Sequence, residues 1–241
     1  MDTQPQPLAR YDDLKALFIN CTLSPSPKFS HTGLLMEQAR TLMTNQSVQV
    51  ETVRLVDHQV APGLKPDMTE DGSFERDDWP ALFEKVRHCD ILVVASPVWL
   101  GERSSVCSRL MERLNAHSSQ TNDKGQQIYY GRVAGSLVTG NEDGAKTVAR
   151  SVLYGLQHIG FTVPPQADAY WVGEAGPGPS YGDETDLGVT GVDHSFTQKN
   201  TTFMCWNLLH MARLLKDSGG VPAHGNQPEL WNKGYRFGHP Q

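Results

Sequence analysis

The chain has 241 residues, 38% hydrophobic and 20% charged, enough for one large domain with a proper core. A formal net charge of -6 without any Lys/Arg run argues against a protein that lives on nucleic acid. Cys21, Cys89, Cys107 and Cys205 form no CxxC pair, so neither a disulfide framework nor a zinc or other metal site is expected, and no segment reads as a membrane span.

The opening "MDTQPQPLARYDDLK" lacks the basic flank and apolar stretch of a signal peptide, so a cytoplasmic protein is expected. "LKALFIN" (14–20) reads as a strand, followed by a polar loop and a helix carrying Leu34, Leu35, Gln38 and Leu42. "VQVETVRLV" (48–56) reads as a second strand whose alternation is less clean. A long loop rich in Pro, Gly and Asp then closes at Asp78, with Pro80 in the first turn of a helix. "DILVVAS" has an unbroken run from Ile91 to Ala95, the pattern of a strand covered on both faces. After it comes a helix with Val106, Leu110 and Leu114 on one stripe.

The strand "RVAGSLVTG" ends at Gly140, and the next helix carries Ala145, Val148, Ala149, Val152, Leu153, Leu156 and Ile159 on its apolar stripe. "FTVPPQADAYWVG" reads as a last strand interrupted by Pro164 and Pro165. From Ser195 a helix sets Met204, Leu208, Met211 and Leu215 against Asn207, His210, Arg213 and Lys216. Five strands alternating with helices, and no sixth unit, predict a flavodoxin-like α/β sandwich: a parallel sheet of order 2-1-3-4-5 with helices on both faces. The expected division is a domain over 1–218 and a C-terminal arm over 219–241.

In such a sheet a ligand sits at the carboxyl ends of the strands, so the three turns there should share one. The first, "NCTLSPSPKFSHTG", offers the hydroxyls of Thr22, Ser24, Ser26, Ser30 and Thr32 just before a helix, with Lys28 and His31 to add charge. Such a helix start suits a phosphate, although Ser30 or Thr32 as a plain N-cap explains part of the pattern equally well. In the second turn Pro97 is expected to stop the strand, Gly101 to admit a ligand closely, and Trp99 and Leu100 to offer apolar surface. A core Trp is the alternative there. The third, "VTGNEDGAKT", brackets Asn141, Glu142 and Asp143 between Gly140 and Gly144, with Asp143 alternatively a helix cap. It is not a triphosphate-binding loop, because Ala145 separates Gly144 from Lys146 and the spacing is one short.

With "PVWLG" after the third strand and "TGNEDG" after the fourth, the chain resembles the NADPH-dependent FMN reductases, flavodoxin-like relatives of the flavin-dependent quinone reductases, over residues 14–172. The segment "YWVGEAGPGPSY" is similar to an extension of one bacterial branch. The resemblance implies non-covalent FMN, its phosphate on Thr22, Ser24, Ser30 and Thr32 and its ring along Pro97, Val98, Trp99, Leu100 and Gly101. Thr139, Gly140, Asn141 and Gly144 would edge the ring, with Tyr170 and Trp171 in the wall above it. Pro25 and Pro27 depart from the family's shorter first loop.

It implies further an oxidoreductase in which hydride passes from NAD(P)H through the flavin to a quinone, free flavin or similar small acceptor, without a side-chain acid or base. Two rivals remain: a flavodoxin-type electron carrier, and a flavin-free binding module. Trp231, Tyr235 and Phe237 in the arm suggest docking on its own surface or, in a homo-oligomer, on a neighbour near the flavin. Neither nucleic acid nor membrane is an expected partner.

Overall fold

The computed structural model describes residues 9–176 and 178–240. In chain order the elements are β1 (Lys15–Asn20), α1 (His31–Thr44), β2 (Gln49–Arg54), α2 (Trp79–Arg87), β3 (Ile91–Trp99) and β4 (Glu102–Arg103). They continue with α3 (Ser105–Asn115), β5 (Val133–Gly140), α4 (Ala145–His158), β6 (Asp168–Val172), β7 (Glu184–Thr185), β8 (Gly188–Val189), α5 (Ser195–Asp217) and α6 (Pro228–Asn232).

The long strands form a parallel sheet of order β2-β1-β3-β5-β6, which is the expected doubly wound arrangement. Its center is dry: every residue of β3 from Ile91 to Ser96 is fully buried, as an unbroken apolar run requires. One apolar layer joins β1 and β3 to α2, α3 and α4 through Leu17, Leu92, Val86, Leu110 and Val152. The other joins the opposite sheet face to α1 and α5 through Phe18, Val93, Leu35, Met204 and Leu208. Two short additions were not anticipated: β4, antiparallel to the end of β3, and the β7–β8 hairpin.

Pro97 does not stop β3, which runs on to Trp99 and pairs Pro97 with Thr139 of β5. The Ala95 carbonyl accepts from Cys21 N at 2.8 Å, so residue 95 points its peptide groups toward β1. Residue 97, two further on, faces the same side, where the register with β1 has already ended at Asn20–Ala95. The missing N–H of Pro97 therefore falls beyond the last rung, and no ladder bond is lost. In the last strand the two prolines do break the ladder, leaving Thr162 in a single bridge to Val133 before β6 begins at Asp168.

The long loop after β2 is anchored from α3. Arg113 is fully buried and donates to Gly63 O (3.2 Å), Pro66 O (3.0 Å) and the Asp77 carboxylate (2.8 Å). Trp79 Nε1 donates to His117 Nε2 at 2.9 Å, and the His117 ring stacks on Phe83 with centroids 3.3 Å apart.

The arm contains α6 and packs on its own chain. Gln126 Nε2 donates to Val221 O at 3.2 Å and to Asn226 Oδ1 at 3.1 Å, and Gln227 Nε2 donates to Lys124 O at 2.8 Å. The segment it grips leads into the amino end of β5, so the arm lies away from the carboxyl ends of the strands. Packing on its own surface is one of the two placements expected for the arm, and it lies away from the ligand turns of its own subunit.

Candidate functional site

The first turn is closed by one buried side chain. Asn20, at the end of β1, accepts from Thr22 N at 3.0 Å through Oδ1 and donates from Nδ2 to Ser30 Oγ at 3.1 Å. Ser30 is the N-cap of α1, its Oγ also accepting from Gly33 N at 2.9 Å. A hydroxyl has two lone pairs and one proton. Both lone pairs of Ser30 are used, so its proton remains to be donated. The amides of His31 and Thr32, in the first helical turn, have no i−4 carbonyl to meet and are the usual free donors of a helix start. Thr32 Oγ1 lies 2.7 Å from Thr139 Oγ1, bonding the first turn to β5. Ser26 is withdrawn from this set: its N (2.8 Å) and Oγ (2.6 Å) both donate to Asp57, and these bonds hold that carboxyl below its ordinary range.

The second turn explains "PVWLGER". Trp99 pairs with Glu102, leaving Leu100 (φ 51°) and Gly101 (φ 77°) as a two-residue hairpin loop. Positive φ at both positions is the type I′ geometry that matches strand twist. Glycine suits it; a leucine does not. Leu100 nevertheless stands there 93% exposed, its N–H donating to Glu142 Oε1 at 2.6 Å.

The third turn packs behind the second. A Cβ on Gly144 would lie 2.5 Å from Gly101 Cα, and one on Gly140 would lie 2.2 Å from Val98 Cγ1. Gly101 and Gly144 thus press backbone on backbone. Asp143 is not the cap of α4, whose N-cap is Gly144.

Thr22, Ser24, Ser30, Thr32, Pro97, Val98, Trp99, Leu100, Thr139, Gly140 and Asn141 line one cavity of about 690 Å³ at the carboxyl ends of β1, β3 and β5. Gly101 and Gly144, although expected at the ligand, do not line it. Tyr170 and Trp171 do not either. Trp171 is buried in the core, 5.6 Å from the Tyr181 ring, and it is Tyr181 that reaches the cavity.

Sequence reasoning missed a wall: the strap from Gly173 to Gly191, between β6 and α5, brings Ala175, Gly176, Gly178, Ser180 and Tyr181 to the cavity. It is held by polar contacts. Asn141 Nδ2 donates to Gly178 O (2.9 Å) and Pro179 O (3.1 Å), Gly173 N to Gly140 O (2.9 Å), and His31 Nδ1 lies 2.7 Å from Tyr181 O. Phe29 and Glu142 were also missed as lining residues. Burial pushes the Tyr181 phenol up to about 12, and its hydroxyl makes no hydrogen bond among the described residues.

The wall is thus apolar along Val98, Trp99 and Leu100, with polar donors gathered at the start of α1, the composition of a site for a flat ring carrying an anion. Among the described residues no group of His, Cys, Asp or Glu could hold a metal ion, and no helix is long and apolar enough to cross a membrane.

The family model for NADPH-dependent FMN reductase matches residues 14–175. The 8-demethyl-8-aminoriboflavin-5'-phosphate synthase of Streptomyces davaonensis is 39% identical over 209 residues, covering 85% of this chain and 79% of that protein. A Mycobacterium bovis protein named divalent metal cation transporter MntH is 55% identical over 207 residues, or 86% of this chain, but the chain spans only 30% of its length. Among solved structures, RosB with bound 8-demethyl-8-formylriboflavin-5'-phosphate superposes with a TM-score of 0.80 at 36% identity, over 92% of this chain and 88% of that one. FerB of Paracoccus denitrificans shares the fold alone, at TM-score 0.55 and 14% identity over 86% of this chain and all of that one (100%). The family match over most of the chain, joined to the flavodoxin-like sheet, settles the relationship: this chain belongs to the NADPH-dependent FMN reductase family, flavin-dependent oxidoreductases whose redox pair is FMN and NAD(P)H.

Proposed function

We propose that the cavity holds FMN and that the chain uses it to pass electrons from NAD(P)H to a small acceptor, a quinone or free flavin. The observation that carries this is the donor set at the start of α1: the unspent Ser30 proton and the His31 and Thr32 amides converge where the helix dipole favours an anion. Bound FMN would supply the two-electron chemistry. The chain's own part is placement. Thr22, Ser24, Ser30 and Thr32 would receive the phosphate, while Pro97, Val98, Trp99 and Leu100 would support one ring face. Thr139, Gly140 and Asn141 would meet the ring edge, and the strap would exclude water from above. Gly101 and Gly144 would act indirectly, by holding the second and third turns together.

A second reading is favoured by one observation: the relative at 39% identity is named for making a modified riboflavin phosphate. On that reading a flavin phosphate enters the same cavity as substrate. One experiment separates the two. The purified chain is incubated with FMN, NADPH or NADH, and a small quinone or riboflavin as acceptor; reduced nucleotide is followed by absorbance and the released flavin is weighed by mass spectrometry. The proposal expects nucleotide oxidation with the FMN mass unchanged. A changed flavin mass selects the second reading, flavin binding without nucleotide oxidation selects an electron carrier, and failure to bind flavin overturns all three.

A further inference from the structure

The cavity wall carries an unbalanced charge. Among the described residues that line it there is no Lys and no Arg, and the ionisable side chains are His31, Glu142 and Tyr181. Burial keeps the Tyr181 phenol protonated, and His31 belongs to the start of α1, where its Nδ1 lies 2.7 Å from the Tyr181 carbonyl. Glu142 is the one carboxylate on the wall.

Its place is fixed by the hairpin opposite. The N–H of Leu100, a residue held at φ 51°, donates to Glu142 Oε1 at 2.6 Å. Among the described residues this is the one hydrogen bond that the side chain makes, and no Lys, Arg or His pairs with it. Oε2 is left open. A half-buried carboxylate without a counter-ion keeps its field, because water screens it incompletely. With a flavin ring along Val98–Leu100 and against Gly140 and Asn141, Glu142 lies at the ring end of the cavity, while the phosphate takes its donors from α1. A second molecule that comes up to the ring meets this carboxylate.

We infer that Glu142 is a specificity-determining residue for the electron acceptor: it admits uncharged small acceptors to the ring and turns away those with a negative charge beside their reducible group. This rests on the reading of the chain as a flavin-dependent reductase and names the class of acceptor it serves. The nucleotide gives a hydride, solvent gives a proton, and an uncharged quinone takes up both as a hydroquinone. The carboxylate does not oppose the donor, whose reduced nicotinamide ring is uncharged and becomes cationic on giving hydride.

The test compares the FMN-loaded parent with Glu142→Gln, Glu142→Ala and Glu142→Asp, using an uncharged naphthoquinone and the same quinone carrying a ring sulfonate. Two quantities are read: kcat/KM for each quinone with NADH or NADPH, and the Kd of each quinone for the oxidised protein, from quenching of flavin fluorescence. Loss of one nearby charge predicts that the uncharged-to-sulfonated ratio of kcat/KM falls by about five-fold or more in Glu142→Gln and Glu142→Ala. The sulfonated-to-uncharged ratio of Kd falls with it, and Glu142→Asp keeps the parental ratios. If Glu142 serves only to anchor Leu100, Glu142→Gln, which keeps an acceptor oxygen, matches the parent and Glu142→Ala weakens both quinones alike; either result overturns the inference. The two neutral variants are read independently, so one that misfolds by circular dichroism leaves the other to decide. A parent that holds no FMN, or oxidises no nucleotide with either quinone, shows instead that the reading of the site has failed, and the inference falls with it.

Discussion

Ser30 and Leu100 illustrate opposite relations between a residue and its backbone. Ser30 suits its position doubly, as cap and as donor, so Ser30→Ala should cost about 1 kcal/mol of stability in denaturant unfolding and weaken FMN binding as well. Leu100 suits its position badly, sitting at positive φ in a tight hairpin where Asn is the better residue. Leu100→Asn should raise stability by about 0.5–1 kcal/mol, seen as a higher thermal midpoint, and at the same time lower FMN affinity by removing apolar wall. An unchanged affinity would mean that the exposed leucine has no part in the site. The hydroxyl-rich and aromatic turns were legible because their chemistry is local. The strain at Leu100 was not, since φ is set by the pairing of Trp99 with Glu102 and two residues of strand carry no sequence signal.

At the scale of elements, the loop between β2 and α2 depends on one ion pair inside the protein. Arg113 and Asp77 both have fully buried side chains. Removing one partner strands the other charge, so Asp77→Ala should cost about 3–5 kcal/mol, measured by urea unfolding. The contact between α2 and the segment after α3 is sensitive to pH. Burial pulls the His117 imidazole below its ordinary range, and Nε2 must stay unprotonated to accept from Trp79. The unfolded chain then binds the proton more readily than the folded one. Stability from this ring is complete above the ordinary imidazole value of about 6.5 and is lost as pH falls below it. His117→Gln, which keeps an acceptor but does not titrate there, should flatten the unfolding free energy between about pH 7.5 and 5.5 relative to the parent.

For the whole molecule, the parallel sheet was readable from alternation and run length, because burial on both faces writes itself into sequence. Its strand order came from matching the count of five βα units to a flavodoxin-like sheet. Where the strap and the arm pack was not readable, because Gly-, Pro- and Asp-rich segments are held by individual hydrogen bonds that leave no period. The arm sits far from the ligand turns along its own chain, so ending the chain after Gly220 should leave flavin content by absorbance unchanged. Light scattering on the same truncated protein tests the proposed homo-oligomer: a loss of mass would assign the exposed Trp231 and Tyr235 to a neighbour, and an unchanged mass would assign the arm to its own subunit alone.

The family model ends at residue 175, whereas the strap continues to Gly191 and still forms one wall of the cavity. The floor is made of strand ends that the core cannot release; the roof hangs from Asn141, His31 and the Gly140 carbonyl. Mutations can therefore accumulate in the roof without unseating the floor, and descendants of one ancestral chain can diverge in what they admit while inheriting the same floor unaltered.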